Sequence, residues 1–139
     1  MSRPHPRNHR EIKAGSRWWR VDFHTHTGHS TDAYAGGDYT DREWLLAHMR
    51  KQIDAVCITD HNGGRQIDLL KAEYDRMHDE FMLSTAEAEE DFRELVIFPG
   101  AELTTSSGYH CLVVLDPSKG SADVSRILGA WLEGNEGSA

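Results

Sequence analysis

Apolar residues along the chain gather in short runs, and between these runs they recur at helical spacing. Trp18 and Trp19 lead into a predicted strand, residues 18–25, in which Val21 and Phe23 alternate with Asp22 and His24. A loop rich in glycine and small residues follows, residues 27–39. Thr40 and Glu43 then stand at capping-box spacing, which opens a helix through about Gln52 with Leu45, His48 and Met49 on one side. Residues 53–59 form a short, apolar, β-branched run that reads as a buried strand, broken by Asp60-His61-Asn62-Gly63-Gly64. Ile67, Leu70, Tyr74, Met77 and Phe81 predict a second helix from about Gln66 to Met82. The acidic residues 84–91 read as a loop with a helical turn. Residues 95–98 predict a strand stopped by Pro99-Gly100, and residues 111–115 another. A turn at Asp116-Pro117 precedes a last helix from about Ala122 to Glu133.

Strands therefore alternate with helices, and the later strands lack polar alternation, as strands covered on both faces do. That order predicts a parallel α/β fold. The length suits one domain, placed at residues 17–133, with a basic flexible leader at 1–16 and a frayed tail at 134–139.

Charge changes the picture at one end. Residues 1–20 hold six of the fifteen basic residues and one acid, so the other 119 carry nine basic against twenty-two acidic groups. An acidic body argues against a broad phosphate-backbone footprint, while the leader is either simply solvated or a basic arm able to touch nucleic acid. No apolar run approaches a membrane span, and the N-terminus lacks the apolar centre of a signal peptide. Cys57 and Cys111 each sit in an apolar run and read as reduced core thiols. A cytoplasmic protein without membrane partners is expected.

The candidate chemistry lies at the strand ends. His24 and His26 are two apart, a spacing that points both imidazoles to one side of a strand, shared by Asp22, while Val21 and Phe23 take the other. Alone, such a pair is either a metal grip or two incidental histidines. Asp60-His61 ends the second strand, Glu102 follows the third, and His110 begins the fourth. In α/β sheets chemistry collects where loops converge at the carboxyl ends of strands, so these side chains together predict a metal cage. His29, His48 and His78 read as surface groups, and Asp22 as either a partner to a ligand or a buried acid held elsewhere.

The motifs Asp22-Phe-His-Thr-His-Thr27 with Ser30-Thr-Asp32, Ile58-Thr-Asp-His-Asn62, Pro99-Gly-Ala-Glu102 and Gly108-Tyr-His110 occur in that order. Together they resemble the PHP (polymerase and histidinol phosphatase) superfamily. The flanking Gly15-Ser-Arg-Trp-Trp19 and Leu112-Val-Val-Leu-Asp116 look like the PHP domain that opens the TrlF-type AAA-like, SMC-related ATPases. The resemblance spans roughly residues 15–117. It implies the N-terminal part of a distorted, TIM-like (β/α)7 barrel, phosphoester hydrolysis, and up to three zinc, manganese or iron ions. By the same resemblance His24 and His26 hold a first metal, Glu102 bridges it to a second, and His110 binds that second ion. Asp32 and His61 belong to a third, and Asp60 orients rather than binds. The implied substrate is a small phosphate ester or a nucleic acid phosphodiester.

The family's late ligands, another histidine and an Asp-x-His pair, have no counterpart, because no histidine follows His110. A barrel of this general kind takes ~200 residues or more. The chain is thus expected to be either the N-terminal part of a larger ATPase-linked protein or a shortened relative completed by association, including with its own copies. No GxxxxGK[ST] loop is present, so ATP is not bound here by that route. A metal-dependent phosphoesterase leads these readings. The alternative is a non-catalytic metal-binding module serving an ATPase partner. An amidohydrolase shares the histidine pair but not the Thr-Asp-His or Gly-x-Glu motifs.

Overall fold

A computed structural model describes residues 18–28, 30, 39–105 and 107–134. The expectations for the leader, for His29 and Asp32, and for the tail from residue 135 lie outside the described residues. The elements run β1 (Val21–Thr25), α1 (Asp41–Arg50), β2 (Ala55–Ile58), α2 (Ile67–Leu83), β3 (Val96–Thr104), β4 (His110–Val114) and α3 (Ser121–Gly134). They form one four-stranded sheet in the spatial order β1-β2-β3-β4. Among the described residues no helix is long and apolar enough to cross a membrane.

The α/β reading stands, but the sheet is not wholly parallel. β1, β2 and β3 pair in parallel across helical connections, whereas β3 and β4 are antiparallel. Residues 105–109 are too few for a crossover, which needs a dozen or more. The chain instead turns back tightly: Thr105 N–H donates to Tyr109 O at 2.9 Å, and Gly108 takes φ 81°. Cys111, expected in the core, is exposed, because β4 is the last strand and four of its five residues face solvent. Cys57 is buried as expected, and burial pushes its thiol up to about 11, with Asp22 adding to the shift.

β3 also runs straight through Pro99-Gly100 rather than stopping there. Pro99 sits where the strand's neighbours change. It still accepts a bond from Leu115 N–H at 2.8 Å, but it has no N–H to return, and β4 ends one residue earlier at Val114. Gly100 is required by close approach: a Cβ there would lie 2.3 Å from Val113 O and 3.1 Å from Ile58 O. Residues that read as a terminator therefore let three strands meet.

α1 begins at the predicted capping box, with Glu43 N–H donating to Thr40 Oγ1 at 3.2 Å and Thr40 N–H donating to Glu43 Oε2 at 2.7 Å. Its Trp44, Leu45, Leu46 and Met49 are buried, joined by Ile67, Leu70 and Met77 of α2. They cover one face of the sheet, formed by Val56, Ile58, Ile97, Ala101 and Leu103, and Val124 and Leu128 of α3 join the same core. His48 rests on the Trp44 ring at 4.1 Å and His78 lies beside Phe92.

The opposite face of the sheet carries no helix among the described residues. Val21, Phe23, Ala55, Cys57, Val96, Phe98 and Val114 line a groove of about 310 Å³ on it, and Phe23 is 65% exposed.

Candidate metal centre

Register places the candidate ligands on this open face. Val21, Ala55 and Val96 are paired across the three parallel strands and so point the same way. Counting by twos along β3 from Val96 brings Glu102 to that face, and antiparallel pairing of Glu102 with Leu112 and of Thr104 with His110 puts His110 there too. His61 bridges to Glu102 past the end of β2, fixed by Glu102 N–H to Asp60 O at 3.0 Å and Asn62 N–H to Glu102 O at 3.1 Å.

β1 reaches the same face by a bulge. Asp22 pairs with Val56 and Thr25 with Ile58, so Phe23 and His24 together oppose the single residue Cys57. The expected split, with Val21 and Phe23 on one side and Asp22, His24 and His26 on the other, is corrected. Val21 and Phe23 line the groove, and the extra residue returns His24 and His26 to its upper end. Asp22 parts from them. Among the described residues its carboxylate accepts the His24 backbone N–H, at 3.3 Å, and contacts no ligand ring.

Glu102 is the centre of the constellation and is only 3% exposed. Its Oε2 lies 2.8 Å from His24 Nε2, 3.3 Å from His26 Nε2 and 3.4 Å from His61 Nε2. Its other oxygen, Oε1, contacts His110 Nδ1. The rings follow one another as His24, His26, His61 and His110. His26 and His61 are stacked at 4.8 Å, with edge contacts on either side at 4.8 and 5.5 Å. Two groups able to hold a metal ion share Glu102: His24, His26 and Glu102, and His61, Glu102 and His110. The structure thus brings five of the six candidate ligands together, and His61, assigned by resemblance to a third ion with Asp32, stands beside Glu102. Asp32 lies outside the described residues.

Burial lowers the His26 pKa, helped by neighbouring His24 and His61 and opposed by Glu102 and Asp60, which favours the neutral ring. Burial would raise the Glu102 carboxyl, but the His24 hydrogen bond, the charges of His61 and His24 and the His110 bond outweigh it and hold the group below its ordinary value. The donor set fits a cation. One carboxylate offers a single negative charge to four imidazoles, and three Nε2 atoms crowd one of its oxygens. His61 Nδ1, moreover, is buried without a hydrogen-bond partner. Neutral imidazoles with a carboxylate are suited to transition metals.

Asp60 lies behind His26, and its hydrogen bonds go to the loop rather than to a ring. Its oxygens accept Thr27 N–H and Thr27 Oγ–H, both at 2.6 Å, while His26 Nδ1 stands 4.0 Å away. Ser30 makes the closer contact and carries no role in the sequence reading beyond its place in the motif. Its Oγ lies 3.4 Å from His26 Nδ1 and accepts His61 N–H at 3.0 Å. A hydroxyl four residues beyond His26 was the only signal for it.

No protein-family model matches the chain, and no curated protein matches it.

Proposed function

We propose that the chain is a metal-dependent phosphoesterase domain of the PHP type, holding zinc, manganese or iron at the strand ends. The observation that carries this reading is the convergence of His24, His26, His61 and His110 on the buried Glu102 carboxylate. The ordered motifs in the sequence support the same class. His24, His26 and Glu102 would hold one ion and His61, Glu102 and His110 a second. When bound, such ions lower the pKa of a coordinated water and neutralise phosphate oxygens. Glu102 fixes the spacing of the two groups because its carboxylate belongs to both. His24 and His110 are about half exposed, which leaves that rim open to a phosphate ester. Asp60 holds the loop after β1 through Thr27, keeping His26 at the groove.

The sheet is read here as part of a TIM-like barrel. The support is that its groove face is apolar while its carboxyl end carries the ligands, as a barrel interior and mouth would. In the chain as it stands, that face would pack against further strands or against a second copy. Concentration-dependent association and binding of an apolar dye are therefore expected, and Phe23→Ser should weaken both. A monomer across the micromolar range that binds no dye would count against the barrel.

The functional test compares p-nitrophenyl phosphate with bis(p-nitrophenyl) phosphate, a monoester against a diester, with manganese or zinc added. Slow, metal-dependent hydrolysis is expected, falling by ~100-fold or more in His24→Ala. Turnover on the diester would favour a nucleic acid substrate. Metal uptake without turnover on either ester would favour the non-catalytic module. No uptake on titration would end both readings.

A further inference from the structure

We infer that Ser30 is a positioning residue whose hydroxyl sets the proton on His26 and ties the two ligand groups together. The metal arm of this inference rests on the reading above, and its proton arm does not.

Ser30 is buried, and its own N–H donates to Thr27 O at 3.2 Å, which anchors the turn after β1. A serine hydroxyl offers one proton and two lone pairs. One lone pair accepts the His61 backbone N–H at 3.0 Å, so the remaining proton and lone pair are what Ser30 can turn toward His26 Nδ1 at 3.4 Å. His26 Nε2 lies 3.3 Å from Glu102 Oε2, and the charge of that carboxylate favours an N–H over a bare lone pair on the facing nitrogen. When His26 is neutral in the metal-free protein, this geometry puts its proton on Nε2, and Nδ1 accepts from the Ser30 hydroxyl. If Nε2 is given to a cation, the proton must move to Nδ1, and Ser30 becomes the acceptor by rotating its O–H away.

Asp60 cannot take this part. An ionised carboxylate cannot donate to a bare Nδ1. Its two oxygens already accept from Thr27, and its nearer oxygen is 4.0 Å from the ring. The same Ser30 oxygen holds the backbone of His61, whose ring stacks on His26. One atom thus orients a ligand in each group and fixes the distance between them.

The test uses the full chain as Ser30→Ala and Ser30→Thr, with two readouts. The first is the His26 tautomer in metal-free protein, from long-range 15N–1H correlation spectra. Wild type and Ser30→Thr should show Nε2–H, and Ser30→Ala a mixture with Nδ1–H. The second is cobalt(II) titration followed by visible absorption. Ser30→Ala should bind about 10–100-fold more weakly, with Ser30→Thr close to wild type. A Ser30→Ala protein with unchanged tautomer overturns the inference, even if its melting temperature or affinity falls, since packing alone would do that. Should Ser30→Ala fail to fold, Ser30→Cys, a weak donor of similar size, carries the same readouts. If wild type takes up no cobalt, the proposed function fails while the tautomer spectra still decide the role of Ser30.

Discussion

Replacing Glu102 with glutamine is expected to strip the protein of metal, lowering its affinity for zinc or cobalt(II) by ~100-fold or more, beyond the usual effect of losing a supporting partner. The amide keeps the shape of the side chain and removes its charge. It also brings an N–H₂ donor toward three Nε2 atoms that lie within 3.4 Å of the present carboxylate oxygen. Because Glu102 belongs to both ligand groups, both should be lost at once. His61→Gln should do less, since His61 belongs to one group, and His24, His26 and Glu102 remain. Elemental analysis after dialysis, with titration of the stripped protein, measures the difference. Equal losses from the two substitutions would show that Glu102 does not serve two positions. Lowering the pH should also release metal from the wild type, because protons then compete for the histidine nitrogens.

Arg42→Met is expected to cost on the order of 2–3 kcal/mol of folding stability at neutral pH, with no direct effect on the histidine and Glu102 cluster. Arg42 lies on α1, and its guanidinium reaches Glu73 at 2.8 Å and Glu80 at 2.6 Å on α2, then Glu89 at 3.3 Å in the following loop. One cation thus fastens two helices and a loop. Methionine fills much of the same space but leaves three carboxylates facing each other, Glu73 and Glu80 largely buried. Burial alone would raise the Glu73 carboxyl, yet the bonds from Arg42 and Arg76 outweigh it and hold it below its ordinary value of 4.5. A carboxyl depressed in the folded state contributes stability above its unfolded pKa and loses it as pH falls through the folded one. The gap between wild type and variant should therefore be widest near pH 7 and narrow below about pH 4. Denaturant unfolding at both values tests this. A gap unchanged by acid would mean that Arg42 acts through packing alone.

Local chemistry is what the sequence could determine. The capping box at Thr40 and Glu43 needs only residues three apart, and the helices of Ile67–Leu83 and Ser121–Gly134 follow from spacing along one segment. The candidate ligands were legible for a similar reason: histidines and a carboxylate at the ends of apolar runs are rare enough to stand out. The tertiary structure decided what depends on a neighbouring strand. The bulge at Phe23 and His24 exists only against Cys57, and it overrode the two-residue alternation that had set His24 apart from Phe23. Pro99-Gly100 punctuates a lone segment, yet between β2 and β4 the missing Cβ of Gly100 is what allows close approach. Ser30 acquires its role from His61, thirty-one residues away, and Arg42 from Glu73, Glu80 and Glu89. Such contacts leave no periodic trace, because a hydrogen bond across the fold constrains distance in space and not spacing along the chain.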